Sequence, residues 1–506
     1  MRTRHTAVGC VLAAIVLASV PAVAGAHPEA AGEVYVPWTD DLSRQQSVRM
    51  LEGGTAATAA APAAPGSSNM SLVGNADKDG TVNSDLAFWG QLAYAGNYDG
   101  FRILDIKGQQ PRTVTDFRCR GPQNDVAVHE MGGKRFLFQS IDTPQTVKGC
   151  DSADAPLVDG ARVGYEGVRV FDVTDPAKPK FVDMIQTACG SHTLTLLPDG
   201  QRVYVYVASY PLGSGITPPG ATGPGDYREC TRPHKKISII EASAPRGKFS
   251  FRRKEQPLSD DTAMNNGFQA CHDITMFMKT EVGLGSCAGD GQIWSIKDPW
   301  NPTTDAEGQH THINSPSPSD QFEFIHSGPV SWDGKTLAIM DETGGGGTAE
   351  CDGAASTDGF YYYYDMVKPG DPAPALRGRF TIPRPQSPEI CVSHNANVIP
   401  VAGRNLMTAA YYQGGNTVID FTDPSNPHEV AYADLEDATG LADSWSTYWY
   451  NGRIYANGGL NRRGASGNRG LDVFELTGAL GATTRQARTW SYANPQTQEA
   501  WQAPTG

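Results

Sequence analysis

From Met70 onward the chain is written in short apolar runs of four to seven residues, separated by Gly, Pro, Asp and Asn, with no sustained stripe at helical spacing. Runs of that length between turn residues predict strands and an all-β fold. The runs recur as a unit. A strand ending in an acidic and then an apolar residue appears at Phe101–Ile106, Val168–Val173, Ile237–Ala242, Gln292–Ile296, Tyr362–Met366, Thr417–Phe421 and Leu471–Leu476, with Gln292–Ile296 lacking the acid. Several copies run into Pro-bracketed turns (Asp175–Pro179, Asp298–Pro302, Asp423–Pro427), where the fixed φ of Pro ends the strand. Earlier in the units comes a hairpin signal, at Gly132-Gly133, Asp199-Gly200, Asp333-Gly334 and Asn451-Gly452, residues that tolerate the positive φ of a tight turn. Each unit reads strand, tight turn, strand, long loop, strand, Pro turn, strand. Four antiparallel strands repeated seven times predict a seven-bladed β-propeller over residues 70–478. The last copy lacks a fourth strand of its own, and Met70–Val73 is expected to pair into it and close the ring, leaving no long open edge. An open array or two smaller domains is the competing arrangement.

The repeats resemble the LVIVD-repeat family of secreted or surface bacterial proteins, on the segments RILDI (102–106), RVFDVTDPAKP (169–179) and TVIDFTDPSNP (417–427). That resemblance implies a propeller and an extracellular location, and no settled activity. Units three to five depart most from the pattern, with long insertions and the segments SIIEA, IWSI and YYYDM.

Composition narrows the function. The chain has 506 residues, 39% hydrophobic and only 19% charged, with 41 basic against 55 acidic side chains and a net charge of −14. That balance repels phosphate backbones and argues against nucleic-acid binding. Arg2 and Arg4, the apolar stretch Val8–Val20 and the small residues Ala24-Gly25-Ala26 read as a secretory signal peptide over 1–26. The apolar stretch is too short for a membrane span, and no other uninterrupted apolar run approaches 20 residues. Residues 27–69 read as a flexible leader containing a low-complexity stretch at 53–68, and 479–506 as a polar C-terminal tail with no assigned role. The expected product is a secreted, extracellular protein.

Export gives the cysteines their meaning. Cys10 falls within the signal peptide, which leaves eight. Cys119, Cys189, Cys271 and Cys391 lie where one unit ends and the next inner strand begins; Cys150, Cys230, Cys287 and Cys351 lie in loops after second strands. Both loop types emerge on one face of a propeller, so the topology favours Cys119–Cys150, Cys189–Cys230, Cys271–Cys287 and Cys351–Cys391 out of 105 pairings. A thiolate metal site is the alternative.

The sharpest chemical signal is histidine. His192 and His326 each stand eight residues before a hairpin glycine, Gly200 and Gly334; His394 stands nine before Gly403, and His272 begins the matching strand after Cys271. Four consecutive blades thus place a His at the start of the innermost strand, where strands line the axial channel. Asp125 and Ser444 hold the equivalent slots of blades two and seven, and Ser84 or Asp85 that of blade one. Four converging imidazoles suit a transition metal, Fe, Cu or Zn. The same side chains could instead line a wet polar channel. His129 falls on the same face as Asp125, further along; Glu323, Glu342, Glu389 and Asp273 could support the ligands; Trp445, Tyr448 and Trp449 could line the pocket. His310 and His312 alternate on a strand and share a face, as surface residues commonly do, and His234 and His428 have no matched partner. The tyrosines at 361–364 read as packing between blades, and Gly344–Gly347 as a loop that leads into no helix. No serine-nucleophile elbow, phosphate loop or His-Glu-x-x-His is present. Two readings follow: a metal-dependent oxidoreductase acting on a small molecule at the top of the channel, or a non-catalytic scaffold binding an extracellular ligand with its top-face loops.

Overall fold

The computed structural model describes residues 66–499, apart from 79, 159–160, 163, 211–229, 231–233, 260–269, 288, 306–307, 314, 316–321, 323, 343–358, 385–390, 436–442 and 459–468. The signal peptide, Cys351, Glu323, Glu389 and Gly344–Gly347 lie outside the described residues.

Seven antiparallel blades follow one another along the chain, and each starts at the channel and works outward. The innermost strands are Asn83–Trp89, Gln123–Met131, Thr193–Asp199, Asp273–Phe277, Ala396–Ile399 and Ser444–Tyr450 in blades 1 to 4, 6 and 7. In blade 5 the strands Thr336–Met340, Tyr361–Asp365 and Leu376–Phe380 are regular, and the channel-side segment is joined to them by the bridges Ile325–Asp341 and Val330–Leu337 and by backbone hydrogen bonds such as Ala338 N–H to Pro329 O (2.9 Å) and Met340 N–H to Ser327 O (3.0 Å). Met70–Ala76 is the outermost strand of blade 7, antiparallel to Gly470–Leu476 with Met70 opposite Leu476.

The period of two explains the apolar runs, because each blade is covered on both faces. Tyr361 and Tyr363 pack against Met407, Ile419 and Phe421 of blade 6, while Tyr362 and Tyr364 face Phe277, Leu284 and Ile293 of blade 4. Near the channel, side chains stitch neighbouring blades together. Ser446 donates to the Ser84 carbonyl (3.0 Å), Ser84 to Asn124 (2.8 Å), Thr193 to His272 (2.7 Å) and Asn397 to Trp449 (3.0 Å). These polar inner-strand residues are buried because the twisted blades leave a narrow axial gap, where a hydrogen bond to the next backbone replaces water.

Disulfides join Cys119 to Cys150, Cys189 to Cys230 and Cys271 to Cys287, and Cys391 is also disulfide-bonded. Cys119 and Cys189 tie the start of a blade to a loop further along the chain, and Cys271 is tied to Cys287 at the end of the second strand of its blade, not to a loop as expected.

The C-terminal segment is built into the ring. After a short helix, Gly478–Thr484, the chain crosses the channel end opposite the histidines. Arg488 N–H donates to Pro400 O of blade 6 (3.1 Å), and Trp490 exchanges hydrogen bonds with Asn451 of blade 7 (2.7 and 2.8 Å). Tyr492–Ala493 pairs with Phe88–Trp89 of blade 1, and Thr497–Gln498 runs parallel to Met276–Phe277 of blade 4. Asn494 bonds both Val128 N–H (2.7 Å) and Val128 O (3.0 Å) of blade 2, and Gln498 does the same to Val330 of blade 5 (2.6 Å each). Thr497 donates to Leu196 O of blade 3. Every blade is touched.

Candidate metal centre

The four aligned histidines occupy the same backbone position in four blades. Their amides donate across the hairpin to the far end of the second strand: His192 to Ala208 (3.0 Å), His272 to Ser286 (2.7 Å), His326 to Met340 (2.9 Å) and His394 to Ala410 (2.9 Å). Equivalent register puts the rings side by side. Neighbouring ring centroids lie 4.4 Å apart for His192–His272, 4.1 Å for His272–His326 and 4.1 Å for His326–His394, and the four residues are between 1% and 5% exposed.

Three rings are held by Nδ1, which leaves Nε2 toward the pocket. His192 Nδ1 is 2.8 Å from Asp142 Oδ2, His272 Nδ1 is 3.3 Å from the His326 carbonyl, and His394 Nδ1 bonds the Trp445 carbonyl. His326 Nδ1 is buried without a hydrogen-bond partner. Glu342 stands between two of the rings, with Oε2 3.9 Å from His326 Nε2 and Oε1 3.6 Å from His394 Nε2. His272, His326 and Glu342 each offer a ligand atom, and these atoms lie within 4.8 Å of one another, so the cluster could hold a metal ion. His192 is turned differently, its Nε2 3.1 Å from Gln123 Nε2 and 3.3 Å from the Tyr210 hydroxyl.

Burial sets the charge state. Desolvation pushes His272 and His326 well below the usual imidazole range and His394 down to about 3, and it pushes Glu342 up to about 8. The site is therefore a set of neutral imidazoles beside a neutral carboxyl, the protonation state in which imidazole binds a cation. Tyr412 donates its hydroxyl to Glu342, from a left-handed backbone (φ 46°) that a non-glycine residue adopts only when its surroundings enforce it. The enforcing contacts include Ser444, whose amide donates to Tyr412 O (3.0 Å). Phe324, Tyr210, Tyr412 and Trp445 wall a pocket of about 250 Å³, its opening to solvent included. The enclosed space within it is about 10 Å³, room for a single ion or water.

Other expected site residues fall elsewhere. Asp125 does not face the imidazoles. It accepts from Leu194 N–H (2.7 Å) and belongs with Asp85 and Asp273 to a layer of buried carboxyls further along the inner strands. Tyr448 (2.5 Å) and Gln496 (2.8 Å) donate to Asp85, so Tyr448 serves this layer and not the pocket. His129 lies edge-on to Trp89 and Tyr492, and Trp449 packs on Trp490, both at the opposite end of the channel. His234 Nδ1 lies 3.5 Å from the Cys189 sulfur, and His428 is exposed on an outer strand. Asp142, Gln123, Tyr210 and Tyr412 had no repeat position to reveal them: they come from other strands or loops and meet the histidines only in space.

Burial first, and then the Asp85 carboxylate, raises Asp125 well above the usual carboxyl range, and Asp125 Oδ1 has no hydrogen-bond donor. Its folded value exceeds its unfolded value of about 3.9, so its contribution is full below that pH and is lost as pH rises through the folded value. Asp125→Asn keeps an acceptor for Leu194 N–H and gives Asp85 an amide donor. The variant is expected to gain stability relative to the parent as pH rises from 5 to 8. Melting curves at the two pH values check this; an equal difference at both would refute it.

No family model and no curated protein matches the chain. Among solved structures it is similar to Raptor from Chaetomium thermophilum (TM-score 0.44, 10% identity, covering 81% of this chain and 29% of that one). It is also similar to a chain of the mitotic checkpoint complex (TM-score 0.43, 9% identity, 84% and 99% covered) and to the WD40 propeller domain of Doa1 (TM-score 0.45, 10% identity, 82% and 99% covered). The chain thus spans under a third of the Raptor chain.

Proposed function

We propose that the protein is an exported propeller of the LVIVD-repeat type that binds a transition-metal ion at the mouth of its channel and serves as a metal-dependent oxidoreductase, with dioxygen as the electron acceptor for a small-molecule substrate. The observation that carries this reading is the row of buried imidazoles in equivalent register, three of them fixed through Nδ1, with Glu342 among them. Ring spacing favours the metal type. With metal–nitrogen bonds of about 2.0–2.1 Å, a ring centroid sits about 3.2 Å from the ion. Neighbouring centroids of His272, His326 and His394 at 4.1 Å then subtend about 80°, near the cis angle of square or octahedral sites, whereas tetrahedral zinc would spread them to about 5 Å. Iron or copper fits better than zinc, and such an ion supplies one-electron chemistry.

The chain's own residues divide the remaining work. Phe324, Tyr412 and Trp445 exclude water, Gln123 and Tyr210 present polar groups at the His192 side that can orient a small substrate, and Glu342 with Tyr412 holds a proton beside the ligands. The sequence leader, the disulfides and the absence of any long apolar helix among the described residues support export. Elemental analysis of the mature protein, purified without added chelator, should find about one iron or copper per chain that remains in a His310→Ala variant. If that variant carries neither metal, and neither raises its melting temperature on addition, the metal reading fails and the scaffold reading takes its place.

A further inference from the structure

A second histidine cluster lies at the rim of blade 4, on its outermost strand Thr311–Ile313. Thr311 anchors the strand by donating to Lys368 O (3.1 Å) and Asp371 O (2.7 Å) of the adjoining blade. His310 and His312 flank it and share one face. Their Nε2 atoms are 2.9 Å apart, with ring planes at 81°. His312 Nδ1 is 2.8 Å from Asp290 Oδ2, and the Asp290 side chain is 0% exposed against 20% for His312. Asp290 opens the third strand of the blade, opposite Cys287 of the Cys271–Cys287 disulfide, and also accepts from Gln292 Nε2 (2.9 Å). A buried, braced carboxylate therefore orients a solvent-accessible imidazole.

We propose that His310 and His312 chelate a divalent copper or nickel ion at the rim, with Asp290 as the positioning residue, separately from the channel centre. Asp290 takes the Nδ1 proton of His312 and so fixes the tautomer whose Nε2 carries the lone pair. Two nitrogens 2.9 Å apart, each about 2.0–2.1 Å from one ion, subtend about 90°, which is the cis angle of square or octahedral copper and nickel. A tetrahedral site would hold them at about 3.3–3.4 Å. In the metal-free protein His310 Nε2–H donates to His312 Nε2; on binding, that proton is lost to solvent while another is taken up at His310 Nδ1, and both lone pairs go to the ion with no net proton release. The buried carboxylate adds the negative charge that favours a cation there.

The test is calorimetric titration of metal-free full chain with Cu²⁺, read alongside copper EPR. Wild type is expected to bind one equivalent more than His310→Ala or His312→Ala. A His272→Ala/His326→Ala double variant is expected to keep the rim equivalent, with a spectrum showing nitrogen ligation. Asp290→Asn should weaken that equivalent by roughly 10–100-fold. His310 is partly exposed, so its variant should keep the wild-type melting temperature without metal. If His310→Ala and His312→Ala bind as much copper as wild type, or the channel double variant binds none, the rim pair shares a proton only and the proposal is overturned. Loss of the channel equivalent alone, with the rim retained, would count against the proposed function and not against this site.

Discussion

Deleting residues 490–506 is expected to lower the melting temperature by roughly 5–10 °C, the largest effect of any change outside the core. The segment from Trp490 to Gln498 bonds six of the seven blades, including the paired Asn494 and Gln498 side-chain clamps on Val128 and Val330. About eight hydrogen bonds at a net of roughly 1 kcal/mol each, together with the Trp490 contacts to Trp332 and Trp449, come to about 6–10 kcal/mol once the entropy of ordering the segment is set against the apolar gain. At the unfolding entropy of a chain this long, 1 kcal/mol is about 1 °C. The deletion also exposes the Val128 and Val330 backbone groups. Asn494→Ala and Gln498→Ala should each reproduce a fraction of the loss. A deletion variant that melts with wild type would show the crossing segment to be a passive covering.

The second large effect separates metal binding from packing. His326→Leu is expected to reduce the bound channel metal at least about 100-fold in affinity, while the metal-free variant melts at or above the metal-free parent. The sign follows from His326 Nδ1, which is buried without a partner. Removing an unsatisfied polar group in favour of an apolar one of similar size relieves about 1–3 kcal/mol. With metal present the order reverses, because an ion at 1,000 times its dissociation constant stabilises wild type by about 4 kcal/mol and the variant by far less. Differential scanning calorimetry with and without the metal reads the crossover directly. If His326→Leu is destabilised equally in both states, the imidazole is a structural residue and the channel holds no metal.

Period-two alternation and the punctuating Gly and Pro residues made the blades legible, since a strand covered on both sides must be apolar on both sides. The four histidines were legible because they share one repeat position, and repeats convert a spatial ring into a spacing. What lacked a repeat stayed hidden. Asp142 and Tyr412 reach the site from other strands and loops, and Glu342 was only one of several nearby acids. The segment after Thr484 read as a polar tail because it makes its contacts through Asn, Gln and Thr side chains bonded to backbone, and that chemistry has no hydrophobic signature. Asp125 misled for the opposite reason. Its register is that of Thr193 and Asp273, one residue past the histidine position, and its carboxylate turns to Leu194 N–H.

The crossing segment also dictates an order of events. It is the last part of the ring to be synthesised, yet it is bonded to blades made hundreds of residues earlier: Thr497 to Leu196 and Asn494 to Val128. Contacts so distant in sequence close late and slowly. A nascent propeller therefore remains open at its floor until this segment has been made. A metal ion that arrives early meets a through-passage, and only the completed ring offers a well closed at its floor.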